Sequence, residues 1–89
     1  MTTHELKTLA PYWDAIECGD KNFEVRRDDR GFQKGDTLKL YRTERLAENG
    51  WKRNRCLERR ISYILTGGQF GIEPGYVVLA LSDKGGGDE

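Results

Sequence analysis

Gly19-Asp20-Lys21-Asn22-Phe23-Glu24-Val25-Arg26 reads as G-x-K-x-x-E-x-R, at the point where a short helix hands over to a strand. Strand side chains alternate between faces, so Phe23 and Val25 share one face while Glu24 and Arg26 share the other. The apolar pair is expected to anchor the strand in a core. The charged pair is expected to face a cleft, with Lys21 leaning over it from the strand entrance. A lysine, a carboxylate and a guanidinium then stand together on one rigid element.

On the N-terminal side, Glu5 to Thr8 is a short strand, with Thr8 helping to end it. Pro11 suits a first helical turn, where a missing N–H is no loss. Tyr12, Ala15 and Ile16 recur at helical spacing, with Asp14 and Glu17 on the outer side. Gly19 suits the left-handed position that stops a helix.

On the C-terminal side, the strand runs from Asn22 to Arg27. Two turns follow, at Asp28-Asp29-Arg30-Gly31 and Gln33-Lys34-Gly35-Asp36. Thr37 to Thr43 alternates, with Leu38 and Leu40 inward. Glu44 to Lys52 is a polar loop tipped by Glu48-Asn49-Gly50. Arg53 to Thr66 is a long, bent strand with Leu57, Ile61, Tyr63 and Leu65 on its inner face. A Gly-rich loop leads to Tyr76 to Ser82, an apolar run expected to be a central strand buried on both sides. Residues 83–89 read as a disordered, acidic, Gly-rich tail after one domain over 1–82. Five strands and one early helix make an α+β chain of the small β-barrel kind.

These segments resemble the ASCH domains of the PUA-like group. His4-Glu5-Leu6-Lys7-Thr8 is similar to that family's first strand, Tyr12-Trp13-Asp14-Ala15-Ile16 to its helix, and G-x-K-x-x-E-x-R to its motif. Asp28 through Asp36 resembles an NDR-x-F-x-x-GD element, with Asp at position 28 where Asn is usual. Ile61 through Thr66 and Phe70 through Val78 resemble the closing strands. Together they match an ASCH-like subfamily of bacteria and their phages. The resemblance implies a PUA-like barrel of about five strands that binds RNA or a nucleotide derived from it.

Some ASCH-like enzymes deacylate a modified cytidine with the motif lysine, a threonine and a glutamate; others are RNA-cleaving. The resemblance makes Lys21 that lysine and Glu73 the later glutamate. Glu24 stands at the threonine position, so the hydroxyl is missing there. If the chain is a hydrolase, Lys21, Glu24 and Glu73 are its catalytic candidates.

Charge supports a polyanion partner. The chain is neutral overall, with 15 basic and 15 acidic residues, but 13 of the basic residues and only seven of the acids fall within residues 21–60. Such segregation fits a polyanion-facing surface; a solvated charged hairpin is the plainer reading. Arg42, Trp51, Lys52, Arg53, Arg55, Arg59 and Arg60 form a basic face, with Tyr41 and Trp51 available to stack on bases. Arg26, Arg27 and Arg30 add to the ligand set, although Arg30 is also placed to tie loops together. An exposed Glu24–Arg26 pair on its own is worth under about 1 kcal/mol.

Other classes are less well served. Two distant cysteines and a single histidine lack metal-ligand spacing, so no metal and no cofactor are expected, and the thiols are expected to be free. No apolar run approaches the ~20 residues of a membrane helix, and Met1-Thr2-Thr3-His4-Glu5 lacks the basic-then-apolar layout expected of a signal peptide. The expectation is a cytoplasmic monomer, with a protein partner as the third class: a phage-type inhibitor of a host protein.

Overall fold

The structure, a computed structural model, describes residues 1–43 and 55–83. The turn expected at Glu48-Asn49-Gly50 lies outside them, as do residues 84–89. Chain order is β1 (Thr3–Leu9), α1 (Ala10–Glu17), β2 (Phe23–Arg27), β3 (Thr37–Thr43), β4 (Cys56–Thr66) and β5 (Tyr76–Asp83). The five strands form one sheet in the order β1-β3-β4-β5-β2. β1 runs parallel to β3, from Thr3 beside Thr37 to Leu9 beside Thr43. Every other pairing is antiparallel.

The sheet is a curled half-barrel. Its outermost strands, β1 and β2, share no backbone ladder, yet a side chain of β2 reaches the backbone of β1. The expected small α+β barrel is thus present in a form left open along one seam.

Alternation along β1 buries His4, Leu6 and Thr8, and along β3 it buries Leu38 and Leu40. Ile61 of β4, with Val77, Leu79 and Leu81 of β5, completes the sheet's share of the core. α1 closes it with Trp13 and Ile16, and the Trp13 indole donates to the Leu40 carbonyl oxygen at 2.9 Å. Tyr12 is not part of this face, being 53% exposed; the helix buries a pair three residues apart that starts one residue later. α1 ends as expected, at Gly19 with φ of 91°. Arg59 then donates from Nη2 to the Ile16 carbonyl at 3.3 Å, a cation at the negative end of the helix.

Three other expectations change. β4 carries a bulge between Ile61 and Tyr63, so the inner face passes from odd to even positions: Ile64 packs on the core and Tyr63 is 61% exposed. β5 is buried on one face only. Val77, Leu79 and Leu81 are covered, while Tyr76, Val78 and Ala80 are half-buried, because α1, the helix of the described residues, lies on the core face with Trp13 and Ile16. β5 also extends to Asp83, where the tail was expected to begin.

The base of the β4–β5 connection depends on a glycine. Gly67 donates its N–H to the Tyr76 carbonyl at 2.8 Å, and a Cβ at this position would run into the Glu73 and Tyr76 carbonyl oxygens.

Asp36, in the turn before β3, fastens the N-terminus. It is buried and accepts from His4 Nε2 at 2.9 Å and from the Thr2 and Gln33 amides at 3.1 Å each. Burial pushes this carboxyl up, but the His4 hydrogen bond and the two amides outweigh it and hold it below its ordinary value. Phe32 packs edge-on against the His4 ring. Cys18 and Cys56 are free, exposed thiols. Among the described residues, no helix is long and apolar enough to cross a membrane.

Candidate functional site

β2 alternates as its sequence dictates, but with the opposite faces buried. Glu24 is 5% exposed, whereas Phe23 and Val25 are 43% and 52% exposed. The charged pair faces the seam with β1, and the apolar pair lies on the outer face beside Ala80 and Val78. Apolar content alone favours the reverse. The reverse is overridden because Lys21 and Arg26 pair both oxygens of Glu24, and Arg26 finds its further acceptors across the seam on β1.

A buried carboxylate is costly unless paired and hydrogen-bonded. Here each oxygen of Glu24 has its own cation. Lys21 Nζ donates to Oε2 at 2.7 Å, and Arg26 Nε donates to Oε1 at 3.0 Å. Lys21 also donates to the Phe23 carbonyl oxygen at 2.8 Å. Arg26 spans the seam: its Nη2 donates to the Lys7 carbonyl at 2.9 Å and to Thr8 Oγ1 at 3.2 Å. Lys21, Glu24 and Arg26 are brought together as expected, with Glu24 as the clamp and the two cations as its arms.

Above them lies an open cleft of about 330 Å³, lined on the β1–α1 side by Lys7, Thr8, Leu9 and Tyr12, and on the β2 side by Phe23, Val25 and the charged trio. Lys21 Nζ sits 5.5 Å from the Tyr12 ring centroid and 4.9 Å from that of Phe23. On the two cations that Glu24 holds, two donor positions have no partner among the described residues: the third N–H of Lys21 and the Nη1 group of Arg26. The cleft therefore offers cationic donors beside two aromatic rings, which suits a molecule that joins a planar ring to an anionic group.

Thr8 and Tyr12 were not singled out in the sequence as site residues. Thr8 does not end β1; the strand runs to Leu9, and Thr8 follows His4 and Leu6 on the inner face. That alternation was the available signal. Tyr12 gave none, because its helical spacing pointed to the core.

The remaining candidates are dispersed. Glu73 lies beyond the opposite end of β5. Phe23 pairs with Ala80 and Arg27 with Tyr76, so about 13 Å of strand separates Glu73's end from Lys21's. Arg27 stacks on Tyr76 at 5.8 Å. Arg30 makes a long 3.9 Å contact with Asp29.

The basic face largely braces α1. Arg42 grips Asp14 with two hydrogen bonds of 2.8 and 3.0 Å, and these hold the Asp14 carboxyl below its ordinary value. Arg55 lies over the Trp13 ring at 4.8 Å and 3.6 Å from Glu17. Arg59 reaches Asp83 at 3.8 Å. Arg60 is exposed on the outer face, and Trp51, Lys52 and Arg53 lie outside the described residues. Among the described residues, no three His, Cys, Asp or Glu side chains converge as metal ligands.

Residues 3–81 match a family described as a domain of unknown function, DUF3850. Over 38 residues the chain is 45% identical to an "Uncharacterized 12.9 kDa protein in GpA 3'region" of Escherichia phage P2. That alignment takes in 43% of this chain and 35% of the phage protein, so the match spans about a third of the relative's length. The chain belongs to the DUF3850 family.

Proposed function

We propose that this DUF3850 protein binds RNA, or a nucleotide derived from it, in the seam cleft, on a barrel of the ASCH, PUA-like kind. One observation carries the reading. Glu24 is buried and holds Lys21 and Arg26 as donors at the floor of a cleft walled by Tyr12 and Phe23. A base can lie against the rings while its sugar-phosphate takes the remaining donors.

The same arrangement favours binding over hydrolysis. Both Glu24 oxygens already accept from cations, Lys21 is engaged as a donor, and Glu73 is distant. One observation speaks for the hydrolase alternative: the Thr8 hydroxyl belongs to the cleft wall.

The test is titration of labelled single-stranded, hairpin and duplex RNA against wild type, Lys21→Ala and Tyr12→Ala over a salt series, with RNA integrity followed on a gel. The expected result is intact RNA, binding that weakens steeply with salt, and at least tenfold weaker binding in both variants. Binding that is absent at low salt, or indifferent to both variants, rejects the reading. Cleavage lost in Lys21→Ala selects the hydrolase.

A further inference from the structure

We infer that the seam holds a second ligand position on the far side of Arg26, taking a phosphate joined to the nucleoside in the first cleft. This rests on the nucleotide reading above and narrows it: the ligand is a phosphorylated nucleotide or an oligonucleotide, and a free nucleoside fills only half the site.

The second position is a recess of about 370 Å³ lined by Glu5, Leu6, Lys7, Arg26, Arg30 and Tyr41. Lys7 and Arg26 also line the first cleft, so the two spaces share a wall. A smaller hollow of about 150 Å³ continues past Arg26 and Arg30 to Arg27. The spaces differ in chemistry. The first is edged by two aromatic rings and an apolar wall. The second gathers Lys7, Arg26 and Arg30 against the single carboxylate of Glu5.

Arg26 is built to serve both. Its Nε and Nη2 are fixed by Glu24, Lys7 and Thr8, and its Nη1 has no hydrogen-bond partner among the described residues. A guanidinium held on one edge and open on another is oriented in advance for an oxyanion. Arg30 faces the same recess with a side chain 45% exposed, and its contact with Asp29 is too long for a hydrogen bond. A ring in the first cleft would thus have its phosphate received between Arg26 and Arg30, with Tyr41 next along the path.

The experiment uses the four ribonucleosides, their 5′- and 3′-monophosphates and a mixed-sequence pentanucleotide, titrated calorimetrically into the full chain. Variants are Arg30→Ala, which touches no part of the first cleft, and Lys21→Ala, with melting curves to confirm folding. The inference expects a phosphate to improve affinity at least tenfold over the nucleoside. Arg30→Ala should remove most of that gain, leave the nucleoside unaffected and lower the salt slope by about one. Equal affinity for nucleoside and nucleotide, or indifference to Arg30→Ala, overturns it. Phosphorylated ligands that depend on Arg30 but not on Lys21 would leave the anion position standing and sink the first cleft. No binding by any of these ligands rejects both.

Discussion

Arg26 on β2 donates from Nη2 to the backbone carbonyl of Lys7 on β1 across 2.9 Å, joining two strands that share no ladder. The same guanidinium reaches Glu24 Oε1 and Thr8 Oγ1. A lysine is a single head on a flexible stem and cannot make the three contacts together. Arg26→Lys should therefore destabilise the fold by about 1–2 kcal/mol despite keeping the charge, and Arg26→Met by more. The reading is the urea midpoint at constant slope. An unmoved midpoint in Arg26→Lys would mean the seam is held by packing alone.

Glu24 is the buried partner of two cations, so its loss should cost more than that of an exposed ion pair. Glu24→Gln turns one acceptor into a donor facing Lys21 or Arg26. Since both cations are partly exposed, the expected destabilisation is about 2 kcal/mol, below the full penalty of a buried pair. A double-mutant cycle with Lys21→Met should show coupling above about 0.5 kcal/mol. Additive effects would show that the pair is not energetically linked.

Asp36 links stability to acid. Its folded pKa lies below the ordinary 3.8, so the unfolded chain binds the proton more readily. The stabilisation is complete above the ordinary value and disappears as pH falls through it toward the folded value. Asp36→Asn should accordingly be less stable than wild type at pH 6, with the gap narrowing below about pH 4. Urea unfolding from pH 3 to 6 measures the difference. A gap constant across that range would assign the cost of the variant to lost packing.

Gly67→Ala tests the β4–β5 connection. A methyl group there must displace the Glu73 and Tyr76 carbonyls, and the Gly67–Tyr76 hydrogen bond goes with them. A loss of about 3 kcal/mol is expected, within the range of overpacking a tight site. Gly68→Ala meets no neighbouring atom but has φ of 87°, so its cost is backbone strain alone, about 1 kcal/mol. Equal midpoints for the two variants would rule out the clash.

The element order was legible from alternation and turn residues, and G-x-K-x-x-E-x-R did mark where charged groups converge. Which face of β2 turns inward was not legible. Phe23 and Val25 satisfy every local rule for burial; Glu24 is paired within the motif, and only the arrival of β1 gives Arg26 the Lys7 and Thr8 acceptors that complete the buried cluster. The bulge at Ser62 was equally hidden: it moves the inner face from Tyr63 to Ile64, while an unbroken alternation looks natural in the sequence. The arginines of the basic face were read as ligands because their acidic partners, Asp14, Glu17 and Asp83, are remote in the chain. Glu73 was brought to the motif by resemblance, and strand register separates them.

The two strands flanking the seam acquire their neighbours in a definite order. β1 can dock once β3 exists, but β2 has no ladder partner except β5, the last strand of the sheet. On a ribosome, Lys21, Glu24 and Arg26 emerge early and then wait, unassembled, until Tyr76 to Asp83 has followed them. A nascent or truncated chain that stops short of β5 consequently lacks the ladder partner that seats the motif, and with it the proposed binding cleft, however well β1, α1 and β3 have formed. On the proposed reading, ligand present during synthesis acts only on the finished sheet and rewards completion rather than guiding the steps toward it.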